Sequence, residues 1–190
     1  MEKVANRLAE YLVRTQTIQM DRKEICAYGF QIGLEFAIAM SVTIASAAIM
    51  GMLVECLVIL AIFFVIRGFA GGLHMGSFLS CFICSELSVL LALGAVRFIR
   101  LDNSVMIVTS ILALAIIKLL SPVENDNRPV DACERKKFSG RLNVTIIVLI
   151  VLGSILYFTH NGYGLWIVVM GELMNVLSLT AGKIRYRRSR

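Results

Sequence analysis

The stretch from Arg67 to Cys81 holds the residues of this chain that could do chemistry together. A cysteine attacks a carbonyl carbon only as its thiolate, and a nearby imidazole such as that of His74 can take the thiol proton. The guanidinium of Arg67 is a donor for a thiolate or for the oxyanion of a tetrahedral intermediate. Taken singly, the three residues are commonly a satisfied polar group, a small buried thiol and a basic membrane anchor. Together they predict a cysteine nucleophile with a histidine base.

The spacing of His74 and Cys81 requires a break in the backbone between them. On a continuous helix, seven residues make about two turns, and the two side chains would lie about 10 Å apart along the axis. Gly71, Gly72 and Gly76 can supply a bend, because glycine adopts conformations that other residues avoid. We expect His74 on an irregular or re-entrant segment and Cys81 near the start of the third apolar segment. Such a backbone needs a water-accessible cavity around it.

The composition indicates an integral membrane protein. The chain is 58% apolar and 17% charged, with a mean hydropathy of +0.80. A membrane span needs about 20 apolar residues. From Ile25 to Ile66 the only formal charges are Glu35 and Glu55, so this block is long enough to cross the membrane and fold back on itself. The predicted fold is an all-α polytopic membrane protein with about six transmembrane or membrane-embedded helices. The apolar segments are Cys26–Met50, Met52–Ile66, Phe78–Val96, Val105–Leu120, Leu142–Phe158 and Tyr163–Ala181.

The N-terminal residues 1–24 are charged, and we expect no cleavable leader there. Val4, Leu8 and Tyr11 recur at helical spacing, which predicts an amphipathic helix. This helix either lies in the membrane interface or packs on the rest of the protein. We expect one membrane-embedded domain over residues 1–190, with residues 182–190 as a basic cytoplasmic tail.

The distribution of Lys and Arg predicts the orientation in the membrane. Basic residues precede the first apolar segment, follow the second, surround the loop after the fourth and close the chain. The intervening turns hold Arg97 and Arg100. Both termini and the Arg67–His74 stretch are therefore expected in the cytoplasm. This topology accounts for most of the net charge of +6, so no nucleic-acid partner is expected.

The five cysteines do not predict a disulfide framework, because their number is odd and their spacing does not repeat. One CxxC pair and one histidine besides His74 also predict no metal site, and we expect no cofactor. Cys84 lies one turn further into the membrane than Cys81, so we expect it to be drier. The cysteines predicted to be structural are Cys26, Cys56, Cys84 and Cys133.

Two carboxylates lie inside apolar segments, where an unpaired charge is expensive. Glu35 and Glu55 could pair with Arg67 or Lys118, could orient His74, or could be neutral in a polar pocket. The sequence does not choose among these alternatives.

The core Gly71-Gly72-x-His74-x6-Cys81, preceded by Arg67, resembles the signature of the accessory gene regulator B (AgrB) proteins, the processing peptidases of Gram-positive quorum-sensing systems. The chain length, the amphipathic N-terminus and the six apolar segments also fit that family. So does the loop after the fourth segment, in which Pro122 is followed by Asn127, Arg128 and Pro129. The resemblance covers nearly the whole chain.

The resemblance implies a cysteine endopeptidase that acts on a small propeptide, AgrD, in the cell membrane of a Gram-positive bacterium. Cys81 would attack the bond between the signal segment and the acidic C-terminal tail, with His74 as base and acid. The acyl-enzyme thioester would then be closed into a cyclic thiolactone or lactone by an internal cysteine or serine of the propeptide. Arg67 and Gly72 fall at matching family positions. The family also suggests a homodimer. Basic residues that could receive the tail are Arg128, Lys136 and Lys137.

Two other functions remain open from the sequence. The first is a small transporter or channel component, in which intramembrane charged residues line a pathway and Cys81 is dispensable. The second is a thiol-dependent membrane enzyme on another substrate, such as a lipid acyltransferase, which would need Cys81 but release no peptide tail.

Overall fold

A computed structural model describes residues 1–73, 77–121 and 132–188, with the side chains at positions 132, 133 and 186–188 left out. His74 and the proline-containing loop with Arg128 therefore lie outside the described residues. Every other residue that the sequence singles out as a candidate for catalysis or binding falls within them.

The described residues form seven α-helices joined by short connections, and no strand occurs in these segments. Six of the helices are long and apolar enough to span a membrane, which confirms the predicted all-α polytopic fold. The helices are α1 (Glu2–Arg14), α2 (Lys23–Ile49), α3 (Leu53–Ala70), α4 (Phe78–Phe98), α5 (Asn103–Leu120), α6 (Ala132–Phe158) and α7 (Gly162–Arg188), with a 3-10 turn at Met20–Arg22.

The outer surface of the long helices is apolar rather than charged. Leu91, Leu119 and Leu177 are 74%, 79% and 68% exposed on α4, α5 and α7. A water-facing surface of this kind would be unstable, whereas lipid tails solvate it without cost. The exposure pattern and the helix lengths thus both indicate a membrane-spanning protein.

Three helices extend beyond the apolar segments that the sequence delimits. Helix α3 continues past Ile66 to Ala70 and so includes Arg67, and α6 begins at Ala132 rather than near Leu142. Helix α7 continues through most of the basic tail to Arg188. An apolar segment ends at the first charged residues, but the helix that contains it can continue beyond them. Lys and Arg are good helix formers, and their long side chains can place the charge outside the membrane.

The chain forms two compact units, and the first is Met1–Ile49. Within it α1 packs on α2 through small side chains, with Ala5 and Ala9 buried. Val4, Leu8 and Tyr11 are exposed on the adjoining face of α1, as an interfacial helix requires. The Lys23 ammonium lies 2.9 Å from Glu10, donates to its carboxylate and lowers the pKa of that exposed group. The predicted amphipathic helix is present and is also packed on its neighbour.

The second unit, Met50–Arg190, is organised around α7. This helix contacts α3, α4, α5 and α6, and 56% of its apolar stretch is buried, against 17–33% for the other candidate spans of the unit. Leu165, Val169 and Leu179 are fully buried along it. The apolar core that joins α3, α5, α6 and α7 includes Ile62, Ile66, Leu114, Ile117, Leu142, Leu149, Val168 and Leu179.

Helices α3 and α7 approach each other most closely at Gly171. A Cβ at this position would lie 3.0 Å from the Cβ and Cγ2 of Ile62 and 3.4 Å from the carbonyl oxygen of Ile59. Small residues at such crossings let two membrane helices pack backbone against backbone. The close approach fixes the register of α3 along α7, and this register determines where Arg67 lies.

We expect Gly171→Ala to lower the free energy of unfolding by about 1–3 kcal/mol, because the added methyl group overpacks the α3–α7 contact. The matched control is Gly94→Ala, since a Cβ at Gly94 meets nothing within 4 Å. Alanine in that open helical position should stabilise the protein by up to about 1 kcal/mol. Thermal or denaturant unfolding in detergent measures both variants, and equal stability of the two would contradict the assigned contact.

Candidate functional site

Arg67 joins three parts of the second unit at one end of the helices. From the last turns of α3, its Nη1 donates to the Oγ of Ser178 on α7 at 2.6 Å. Its Nη2 donates to the carbonyl oxygen of Leu73 at 2.5 Å. The guanidinium carbon lies 5.5 Å from the centroid of the Phe63 ring, within range of a cation–π interaction. The half-buried arginine thus ties α3 and α7 to the residue that precedes His74.

The predicted backbone break lies immediately after α3. Gly71 ends the helix with a φ of 78°, and its N–H donates to the carbonyl of Arg67 at 3.0 Å. Gly72 follows with a φ of 152°, also in the region that favours glycine. A Cβ on Gly72 would lie 2.7 Å from both Arg67 Nη1 and Ser178 Oγ. Any larger residue would therefore separate the two groups that the guanidinium connects.

The segment after the break lies directly on α7. The N–H of Leu73 donates to the carbonyl oxygen of Ser178 at 3.1 Å and lies 3.4 Å from its hydroxyl. A Cβ on Gly182 would lie 3.0 Å from the nitrogen of Leu73 and 3.1 Å from the carbonyl carbon of Gly72. We refer to Arg67, Gly72, Leu73, Ser178 and Gly182 as the Arg67–Ser178 clamp. It fixes the chain up to the residue before His74.

Cys81 lies in the first turn of α4, where the sequence predicts it. Ser77 caps this helix: its Oγ accepts from the N–H of Ser80 at 3.3 Å, and its carbonyl accepts from the N–H of Cys81 at 3.2 Å. The thiol of Cys81 is free and half-buried. Cys84, one turn along, is also free but exposed on the helix surface, whereas we expected it to be the drier of the two.

Covalent geometry keeps the clamp and the start of α4 together. Leu73 and Ser77 are four residues apart, so their Cα atoms lie within about 15 Å of each other. His74 is one peptide link, about 3.8 Å between Cα atoms, from the clamped Leu73. The described residues thus hold both ends of the short segment that carries the predicted base, although His74 itself lies outside them.

Other basic residues lie at the same end of the helices as Arg67. Lys118 donates to Ser139 Oγ at 3.0 Å and to Asn143 Oδ1 at 2.5 Å, which joins α5 to α6. Arg141 lies 6.0 Å from the Phe69 ring centroid. Lys136 and Lys137 are exposed on the first turns of α6, so the two predicted tail-binding lysines stand on a helix. Arg128 lies outside the described residues.

The two intramembrane carboxylates of the sequence analysis have local partners. Glu35 accepts a hydrogen bond from Gln31 Nε2, one turn earlier on α2, at 2.9 Å. Glu55 accepts from the hydroxyl of Tyr163 at 2.5 Å. Glu55 is twelve residues before Arg67 on α3, a separation of about 18 Å along the axis, so the two cannot pair.

Sequence reasoning missed a third carboxylate, Glu172, which is 0% exposed in the middle of α7. Neither of its oxygens has a hydrogen-bond partner of normal geometry among the described residues, although the buried Ser110 hydroxyl of α5 interacts with it electrostatically. Asn175, one turn further, is also buried and donates to the carbonyl of Gly171 at 3.0 Å. The signal was available, because any ionisable residue inside an apolar segment suggests a functional site.

Among the described residues, no group of three His, Cys, Asp or Glu side chains could hold a metal ion. The site does contain a free thiol at a capped helix start, and a glycine-rich turn that is held on α7 precedes it in the chain.

The sequence model of the AgrB family, accessory gene regulator B, matches residues 5–179. The chain belongs to this family. The match runs from α1 into α7 and includes Arg67, His74 and Cys81.

Family membership connects the chain to agr quorum sensing, as a membrane protein of AgrD propeptide processing. It confirms the resemblance that the Arg67–Cys81 motif indicates. Comparisons with curated proteins and with solved structures gave no match.

Glu172→Leu tests whether the buried acid contributes to stability. Because neither carboxyl oxygen has a hydrogen-bond partner of normal geometry in the described part of the chain, we expect leucine to raise the free energy of unfolding by about 1–3 kcal/mol. Glu172→Gln retains two buried polar atoms and should stay within about 1 kcal/mol of the parent protein. Unfolding in detergent measures both, and a large loss of stability in Glu172→Leu would show that the acid forms a stabilising bond.

Proposed function

We propose that this protein is a membrane cysteine endopeptidase that removes the C-terminal tail of an AgrD-like propeptide and promotes its cyclisation. The proposal rests on two structural features that lie on either side of the His74 segment in the chain. One is the capped first turn of α4, which presents Cys81. The other is the Arg67–Ser178 clamp, which holds the residue before His74. Both flank the short segment that carries His74, the residue that we propose as the base.

In the proposed first step, His74 takes the proton of the Cys81 thiol, and the thiolate attacks the carbonyl carbon that joins signal segment to tail. The oxyanion of the tetrahedral intermediate forms beside the first turn of α4, where backbone N–H groups and the helix dipole favour negative charge. Collapse breaks the C–N bond, and the imidazolium gives its proton to the departing amine. The tail leaves, and the signal segment remains bound to Cys81 as a thioester.

In the proposed second step, a cysteine or serine within the propeptide attacks the thioester carbonyl. The Cys81 sulfur leaves and regains a proton, and the product is a cyclic thiolactone or lactone. The thioester keeps much of the activation of the original bond, so closure needs no ATP if water is excluded and the internal nucleophile is held close. Burial of half the Cys81 side chain is consistent with this requirement.

Arg67 acts as a positioning residue in this scheme. Its donors to Ser178 and Leu73 hold the segment that leads into His74, and small displacements of a catalytic group can cost about 10²-fold in rate. Support of the thiolate or of a substrate carboxylate, as the motif predicts, would come from the positive charge of the same guanidinium. Gly72 has the complementary role of leaving room for the clamp.

In this proposal the propeptide binds through both of its ends, the acidic C-terminal tail and the amphipathic N-terminal helix. The acidic tail would meet Arg128 and the exposed Lys136 and Lys137, while the amphipathic propeptide helix would lie in the membrane interface. Basic residues cluster at the end of the helices that holds Arg67, so we place this end in the cytoplasm of a Gram-positive cell. We also propose that the protein works as a homodimer.

The transporter alternative receives no support from the charged residues on which it relies. The residues that it invokes are Glu35, Glu55, Arg67 and Lys118, and each of them hydrogen-bonds with a protein group. The lipid acyltransferase alternative shares the thiol with our proposal and differs in its product, so an experiment on the product separates them.

The direct test reconstitutes the protein in liposomes with an AgrD-like peptide and follows tail release and acylation by mass spectrometry. We expect Cys81→Ala and His74→Ala to lower tail release by about 10³-fold or more, because they remove the nucleophile and its base. Cys84→Ala is the matched control, a free thiol one turn away on the same helix, and should behave like the parent.

Two results would count against the peptidase. Tail release that persists in Cys81→Ala would remove the nucleophile from the mechanism. An acyl group on Cys81 that derives from lipid, without any release of tail, would identify an acyltransferase instead.

Ser178→Ala tests the positioning role of the clamp. We expect a fall of about 10-fold in kcat with little change in KM, because substrate contacts are retained while the His74 segment is held less firmly. Ser178→Thr keeps the hydroxyl and should recover most of the rate. Gly182→Ala, which pushes Leu73 off α7, should lose more activity than Ser178→Ala.

Ser154→Ala is the matched control for the clamp, since its hydroxyl bonds only within α6, to the carbonyl of Ile150 at 2.8 Å. A rise in KM at unchanged kcat in Ser178→Ala would indicate substrate binding rather than positioning.

A further inference from the structure

A cavity lies at the opposite end of the second unit from the Arg67–Ser178 clamp. It has a volume of about 440 Å³, which is within the usual range for small-ligand sites. Arg67 and Glu55 mark the two ends of α3, about 18 Å apart along its axis. The cavity is lined by Met50, Gly51, Met52, Glu55, Val96, Arg97, Arg100 and Tyr163. None of these residues takes part in the proposed peptidase chemistry.

The two arginines of this cavity have no carboxylate partner in the part of the chain that the structure describes. Arg97 Nη1 donates to the carbonyl oxygen of Met50 at 3.0 Å, and Arg100 is exposed. The carboxylate of Glu55 is instead engaged by the Tyr163 hydroxyl. The Arg97 guanidinium also lies 5.9 Å from the centroid of the Phe98 ring. Each guanidinium has five N–H donors, and both arginines line the cavity.

A second cavity of about 140 Å³ adjoins the first and shares Val96, Arg100 and Tyr163 with it. Its other walls are both polar and apolar, and they include Ile99, Leu101, Asn103, Met106 and Trp166. The Trp166 indole N–H donates to the carbonyl of Ala95 at 3.1 Å, which holds this ring in place at the end of α4. The apolar side chains of Phe98 and Ile99, which stand between the two arginines in the chain, are exposed. Two guanidinium groups next to exposed apolar surface fit an amphiphile with an anionic head.

The location favours a lipid as that amphiphile. The cavities lie at helix ends, where Tyr and Trp side chains commonly meet the headgroup region of a membrane. A guanidinium matches two oxygens of a phosphate group, and arginine is the preferred residue for such bidentate contacts. Arg97 and Arg100 are also the basic residues that stand apart from the clusters at the Arg67 end of the chain. We propose that Arg97 and Arg100 bind the phosphodiester of an anionic lipid, with its apolar part along Trp166.

Glu55 weakens the binding of an anion at this site. Its carboxylate repels the headgroup, while the guanidinium groups of Arg97 and Arg100 attract it. Because the two arginines outnumber the one carboxylate, the site still favours an anionic ligand.

Native mass spectrometry of the purified full chain tests this site, with phosphatidylglycerol and a neutral glycolipid of matched acyl chains as probes. We expect the parent to retain phosphatidylglycerol preferentially. Arg100→Gln should lower its occupancy about 10-fold, as expected for loss of a charged hydrogen-bonding pair. Arg100 makes no hydrogen bond or ion pair in the described residues, so this variant should fold normally. Glu55→Gln should raise the occupancy about threefold.

Arg185→Gln is the matched control, an exposed arginine on α7 at the other end of the unit, and should leave occupancy unchanged. Equal retention of the two lipids, or unchanged phosphatidylglycerol in Arg100→Gln, would overturn the proposal. Displacement of the lipid by millimolar inorganic phosphate would show that free phosphate, rather than a lipid, is the ligand. These outcomes do not depend on peptidase activity.

Discussion

The hydrogen bonds of one guanidinium, that of Arg67, determine how the rest of the site is assembled. An arginine near the end of a membrane helix is costly unless its donors are used, and here they reach α7 and the turn that follows α3. Two glycines make this possible. Gly72 leaves space between the guanidinium and Ser178, and Gly182 lets the backbone of Leu73 lie on α7. Larger residues at either position would separate the groups that the arginine joins.

Helix α7 supplies the other half of these contacts and runs through the centre of the second unit. Four of its small or polar residues recur every three or four positions, so they lie along one face of the helix. They are Gly171, Asn175, Ser178 and Gly182, and Glu172 adjoins the first of them. Such residues promote close packing and hydrogen bonding between helices in a membrane, where burial of apolar surface gives no driving force. The same helix thus provides close packing at its middle and a docking surface for the His74 segment at its end.

The sequence predicts most of the fold and the chemical part of the site. Apolar segments of sufficient length identify all six candidate spans, because a membrane allows few alternatives to helices. The glycine pair correctly predicts a break after Arg67. The partners of Arg67 could not be predicted, because Ser178 is more than a hundred residues away and a serine in an apolar helix carries no signal of its own. Glu172 did carry a signal, as Glu35 and Glu55 did, and was overlooked.

The two ends of the second unit carry different chemistry on shared helices. Arg67 and Ser178 meet at one end of α3 and α7, while Glu55 and Tyr163 meet at the other. Between them, Gly171 brings the two helices into backbone contact, so neither can slide without disturbing both ends. A lipid held at Arg97 and Arg100 would contact the start of α7 and the end of α4, the helix that begins with the capped turn of Cys81. Because α4 and α7 also contact each other, the proposed headgroup site and the thiol are connected through packed helices of one unit.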